Sequence, residues 1–192
     1  MSQATASETP RRVHILGIAG SLRKGSLNRM LLRAAGEALP EGVTLEEFDL
    51  AGVPVFNQDA EDPLPESVAR LKERIEAADA ILIATPEYNY SAPGVLKNAI
   101  DWASRPQGGN SWQGKPVAVM GASMGLMGTS RAQYHLRQMF VFLDMYPVNK
   151  PEVMIASAHQ KFDEEGRLTD AKAREMVGRL VASLAAWTRR LR

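Results

Sequence analysis

Cysteine is absent from the chain. That excludes a disulfide framework, a thiolate zinc site, a thiol nucleophile and a redox-active cysteine pair, so any redox chemistry needs a bound cofactor. Histidine is scarce. His14, His135 and His159 are far apart and lack the paired spacing of zinc motifs, which makes them ordinary polar residues and leaves no metal site to name. Charge of one sign is also lacking: 23 lysines and arginines face 22 acidic residues. No global field draws nucleic acid or an anionic membrane. Residues 1–11 are small and polar, with no apolar core for a signal peptide or anchor, and are expected to form a flexible tail on a cytoplasmic protein.

What remains is a chain with 45% hydrophobic and 23% charged residues, ordinary for a globular protein. Its 192 residues fit a single domain over 12–192, large enough to bury a continuous core. Mostly apolar runs at 13–18, 80–84, 115–121 and 151–156, and an alternating one at 43–48, read as strands. Helical spacing falls between and after them, at 27–38, 68–78, 95–102, 128–143 and 171–191. Strands apolar on both faces, alternating with helices of about a dozen residues, predict an α/β fold with a doubly wound, five-stranded parallel sheet covered on both faces. In such a sheet ligands bind beyond the carboxyl ends of the strands. The connection at 49–65, with Pro54, Pro63 and Pro65, is either a lid or a tie across the sheet.

Three loops follow those strand ends. The first reads Gly-Ser-Leu-Arg-Lys-Gly-Ser-Leu-Asn at 20–28. Ser21, Ser26 and Asn28 offer neutral donors, Arg23 a planar cation, and the start of the helix adds unpaired N–H groups and the positive end of its dipole. A phosphate is the natural guest. An ATP-type loop is excluded because Ser26 stands where its lysine should follow Gly25, and the dinucleotide fingerprint fails because two residues separate Gly17 from Gly20. A mononucleotide phosphate remains. The second loop, Thr-Pro-Glu-Tyr-Asn-Tyr-Ser-Ala-Pro-Gly at 85–94, is stiffened by proline at both ends; it can present backbone groups to a planar heterocycle, with Tyr88 or Tyr90 as an aromatic wall. The third, 121–128, has glycines at 121, 125 and 128 that let backbone approach a ring, and Ser123 is its best single donor.

These motifs, with Pro-Gly-x-Leu-Lys-Asn-Ala-Ile-Asp-Trp at 93–102 and Tyr-His-Leu-Arg-Gln at 134–138, resemble those of the NADPH-dependent FMN reductase family, most closely its bacterial quinone and chromate reductase branch. The resemblance runs from the first strand to about residue 152. It implies a flavodoxin-like fold and non-covalent FMN, its phosphate and ribityl chain held by Ser21, Leu22, Arg23, Lys24, Gly25, Ser26, Leu27 and Asn28. Pro86, Glu87, Tyr88 and Asn89 would border the isoalloxazine, with Ser123 near the ring. The implied activity is reduction of quinones and similar small acceptors by NADPH or NADH, with ping-pong kinetics and hydride transfer through flavin N5. No catalytic side chain is named, because the cofactor carries the chemistry. Chromate, azo compounds, ferric complexes and free flavin are also possible acceptors. Arg105 and Lys97 are open between meeting a nucleotide phosphate and being solvated charges. Homodimers or homotetramers are implied too, with Arg131, Gln133 and Tyr134 near a contact, and the apolar stretch 139–143 fits that. A flavodoxin-type electron carrier is the main rival, but flavodoxins are usually strongly acidic; an FMN-binding sensor is a second.

Overall fold

The computed structural model describes residues 11–105 and 109–192; most of the expected tail, residues 1–10, lies outside the described residues. Eleven regular elements follow in order: β1 (Val13–Ala19), α1 (Leu27–Glu37), β2 (Val43–Phe48), α2 (Glu66–Ala77), β3 (Ala80–Ala84), α3 (Gly94–Ala103), β4 (Pro116–Ala122), α4 (Ser130–Phe142), β5 (Tyr146–Pro147), β6 (Val153–Ile155) and α5 (Ala171–Leu191). All strand pairs are parallel, in the order β2-β1-β3-β4-β5, with β6 also on β4.

The sequence predicts one fifth strand at 151–156, and the structure corrects this. Tyr146–Pro147 pairs with the start of β4 and Val153–Ile155 with its end, so the fifth position of the sheet is occupied twice by one interrupted strand. Val148 N still donates to Val117 O of β4 (2.8 Å), and residues 149–152 then leave the ladder. Proline 151 has no N–H to donate, and the polar Asn149 and Lys150 are exposed, so this stretch turns outward to water.

Alternation along each strand sorts the core into two layers. Ala80, Leu82 and Ala84 of β3 face α1 and α5, packing with Leu31, Val177, Leu180 and Leu184. Ile81 and Ile83 face the other way, onto Leu71 and Ile75 of α2, Leu96 and Ile100 of α3 and Phe140 of α4. Both faces are covered at the centre of the sheet, which is why β3 and β4 are buried along their whole length, while the edge strand β2 keeps Thr44, Glu46 and Glu47. Each fully buried aliphatic side chain contributes ~1.5–3 kcal/mol.

The long second connection is a tie. Pro54 O accepts from both Asn98 Nδ2 (2.8 Å) and Trp102 Nε1 (2.9 Å), Phe56 N donates to Asn98 Oδ1 (2.7 Å), and the Phe56 ring meets Trp102 edge-on at 5.0 Å. These contacts strap it along α3. No helix among the described residues is long and apolar enough to cross a membrane.

Candidate functional site

Parallel pairing brings the carboxyl ends of β1, β3 and β4 side by side, and the three loops leave from there. Between them lies a cleft of about 190 Å3, lined by Ser21, Arg23, Ser26, Leu27, Asn28, Pro86, Glu87, Tyr88, Ala122, Ser123 and Met124. Nine of the sequence-predicted residues therefore converge. The other four do not line it. Leu22 faces a separate, largely apolar groove with Val53, Val55, Phe56 and Val95, Lys24 and Gly25 are exposed at the loop tip, and Asn89 sits in an exposed turn.

The first loop divides its polar groups between fold and ligand. Ser26 is the N-cap of α1: its Oγ accepts from Arg29 N at 3.3 Å. Asn28 is buried, and its amide grips the end of β4, donating to Ala122 O and accepting from Ala122 N, both at 3.0 Å. That side chain ties the loop to the strand and leaves little for a ligand. Binding capacity rests elsewhere. Among the described residues the backbone N–H groups of Lys24, Gly25, Leu27 and Asn28 have no acceptor in the protein, and Ser21 Oγ accepts only a long bond from Arg23 N (3.4 Å). Open N–H groups at the start of an eleven-residue helix, beside a hydroxyl and a guanidinium, fit a phosphate. The residues present therefore suit the mononucleotide that the spacing of the loop suggests.

The second loop is a tight hairpin turn. Tyr88 and Ser91 exchange backbone bonds of 3.1 and 2.9 Å, and Asn89 (φ 49°) and Tyr90 (φ 68°) between them are both left-handed. Asparagine tolerates that region; tyrosine is strained there. Ser91 Oγ lies 2.9 Å from His135 Nδ1 of α4, and the Arg131 guanidinium stacks 3.6 Å from the Tyr90 ring centre. Glu87 lines the cleft, yet its carboxylate turns to the start of α4, accepting from Arg131 N (2.9 Å) and Ala132 N (3.2 Å) and pairing with the Arg131 side chain. Hydrogen bonding to Glu87 raises the Arg131 pKa further. This carboxylate at a helix N-terminus positions the turn.

In the third loop, Ser123 Oγ donates to Gly128 O and Ser123 N to Ile155 O (3.0 Å). Gly121 is obligatory: a Cβ there would stand 2.5 Å from Thr85 O and run into Thr129 Oγ1. The sequence reads His135 as an ordinary polar residue and does not single out Met124, because neither carries a local pattern that marks it for the site. Lys97 and Arg105 are engaged with Asp101 and Glu61. Gln133 is wholly buried, donating to Thr129 Oγ1 (3.0 Å) and Val153 O (2.9 Å), so it cannot touch a partner subunit.

A 2-1-3-4-5 parallel sheet with a loop of open N–H donors at its switch point is the architecture of a flavodoxin-like mononucleotide-binding protein. The family description "NADPH-dependent FMN reductase" matches residues 13–160, and the chain belongs to that family. It is 55% identical over 181 residues to an NAD(P)H-dependent FMN reductase of Pseudomonas aeruginosa, covering 94% of this chain and 97% of that one. A 2-hydroxy-1,4-benzoquinone reductase of Burkholderia is 41% identical over 172 residues, 90% of this chain and 94% of its own length. Among solved structures, the flavoenzyme NAD(P)H:(acceptor) oxidoreductase of Paracoccus denitrificans superposes with a TM-score of 0.85 at 38% identity, covering 93% of this chain and 98% of that one.

Proposed function

We infer that this protein is an FMN-containing oxidoreductase that takes electrons from NADPH or NADH and delivers them to quinones and comparable small acceptors. The observation that carries the reading is the open-ended donor loop at Ser21–Asn28, facing a cleft bordered by Pro86, Glu87, Tyr88 and Ser123 in a chain of this family. The chemistry FMN supplies when bound is transfer of two electrons from a reduced nicotinamide to an acceptor. The residues hold and orient. Backbone N–H groups and Ser21 fix a phosphate, Arg23 balances its charge, and the Glu87–Arg131 pair and Ser91–His135 contact fix the turn that carries Tyr88. Tyr88 and Met124, both exposed, make an apolar rim on which planar molecules can stack. Such a rim has no chemical preference among quinones, azo compounds, chromate, ferric complexes and free flavin beyond shape and charge.

Donor and acceptor use that rim in turn, so initial rates are expected to follow a ping-pong pattern. A cytoplasmic location accords with the donor, which is made there. Homodimers or homotetramers are supported by Val141 and Phe142, 82% and 88% exposed at the end of α4 beside the exposed Tyr134. The reading is tested by adding NADPH anaerobically to the FMN-loaded protein, then a quinone. Bleaching of the flavin band and its recovery are expected; a stable semiquinone with no NADPH oxidation would favour the electron carrier instead.

A further inference from the structure

The chain has no thiol, so its only oxidisable sulfur atoms are thioethers. Of the methionines described, Met30, Met120, Met139, Met145, Met154 and Met176 are buried or half-buried. Met124 and Met127 are 64% and 57% exposed, and both lie in the single loop between β4 and α4. Met124 lines the cofactor cleft. The backbone that holds them outward is anchored from two sides: Ser123 Oγ donates to Gly128 O, and Ser157 N donates to Gly125 O at 3.2 Å. Leu126 between them is 86% exposed, so the whole tip is an apolar surface held out in water.

We propose that Met124 and Met127 form a site of reversible oxidation, where hydrogen peroxide turns the apolar lip of the cleft polar. Any leak of electrons from an NAD(P)H oxidoreductase to dioxygen supplies that oxidant locally. The sulfur lone pair attacks one peroxide oxygen; an S–O bond forms, the O–O bond breaks, and the proton of the transferred hydroxyl passes to the departing oxygen, which leaves as water. Sulfur is oxidised by two electrons and peroxide reduced by two. A flexible apolar side chain becomes a polar sulfoxide, reversible by methionine sulfoxide reductase. The loop backbone is unaffected, since its hydrogen bonds involve Ser123, Ser157 and glycine carbonyls. The consequence is weaker capture of apolar acceptors.

That consequence rests on the function inferred above; the selectivity of oxidation does not. The test is graded hydrogen peroxide on the FMN-loaded protein, with peptide mass spectrometry to locate added oxygen and quinone kinetics after peroxide is removed. The expected result is oxygen on Met124 and Met127 before Met30, Met120, Met139, Met145, Met154 and Met176, a several-fold rise in KM for an apolar quinone at little changed kcat, and reversal of both by methionine sulfoxide reductase. In a Met124→Leu, Met127→Leu double variant, compared with its own untreated rate, the rise in KM should vanish. Oxidation spread without preference over the methionines, or oxidation of this pair with no change in KM, would overturn the proposal. Protein that does not oxidise NADPH at all would instead defeat the inferred function, and the mass map would still decide whether this pair is the preferred site.

Discussion

At the amino end of the sheet, cations turn back onto the protein's own carbonyl groups, whereas at the carboxyl end donors are left without partners. Lys72 Nζ donates to Gly109 O (2.6 Å) and, at 3.4 Å, to Ala103 O and Arg105 O at the end of α3; Lys115 Nζ donates to Glu76 O (2.8 Å) and Ala78 O (2.7 Å) at the end of α2. Arg189 reaches Arg11 O and Glu41 O. The lysines answer unpaired carbonyls and negative dipole ends of α2 and α3, and Arg189 holds two loop carbonyls. At the other end, N–H groups of the first loop are open, Tyr90 is held left-handed, and Met124, Leu126 and Met127 are exposed. Strain and unmet hydrogen-bonding capacity collect where a ligand can use them. One end secures the fold; the other gives up local stability for binding.

The comparison is broken first at Gly121, where both demands meet. Gly121→Ala drives a methyl group against Thr85 O and the buried Thr129, and is expected to cost roughly 3 kcal/mol or more by overpacking, read as a lower midpoint in urea, together with loss of FMN. Unchanged stability would mean the β4–α4 junction yields easily. At the amino end, Lys72→Met should cost ~1–3 kcal/mol by stranding carbonyls, with FMN affinity unaltered. A loss of FMN affinity there would show that the two ends are coupled.

The same lysine has a pH signature. Burial lowers its pKa below 10.5, so the unfolded chain keeps that proton to higher pH than the folded one. The cost of the buried charge is present below the lowered value and is relieved as pH rises towards 10.5; wild type should therefore gain stability relative to Lys72→Met across that window. Denaturation midpoints of both proteins in a series of alkaline buffers check the sign. The smallest effect belongs to Ser26→Ala, about 1 kcal/mol for a lost N-cap; a much larger loss of FMN affinity than of stability would assign Ser26 to the ligand as well as the helix.

The layered fold is legible because its signals are local. Uninterrupted apolar runs become strands buried on both faces, and the loops that follow them fall at the switch point. Of the fifth strand only the Val153–Ile155 part was legible; the earlier Tyr146–Pro147 pairing was hidden because two residues before the turn at Asn149, Lys150 and Pro151 have no period to detect. Within the site, the helix start and its donors could be read from spacing, but long-range partnerships could not. Asn28 and Glu87 both line the cleft, but the Asn28 amide is taken up by the strand end 94 residues away, leaving its backbone N–H free, and the Glu87 carboxylate meets a helix start 44 residues on. Lys72 lies on the helix face of Val68, Leu71 and Ile75, but the carbonyl groups that receive its ammonium come from the end of α3 and beyond, which no local pattern shows. The turn at Tyr88–Ser91 escaped for a related reason: asparagine announces a left-handed residue, but tyrosine beside it does not.

The most direct test of the account compares FMN with riboflavin, which lacks the phosphate, in equilibrium binding to the apoprotein. Hydrogen bonds to a charged group are worth ~1.5–3 kcal/mol each, so FMN should bind on the order of a hundredfold or more tightly, and the gap should narrow in a Ser21→Ala, Arg23→Ala variant. Equal affinity for the two ligands in the wild type would contradict the assignment of the first loop as the phosphate site.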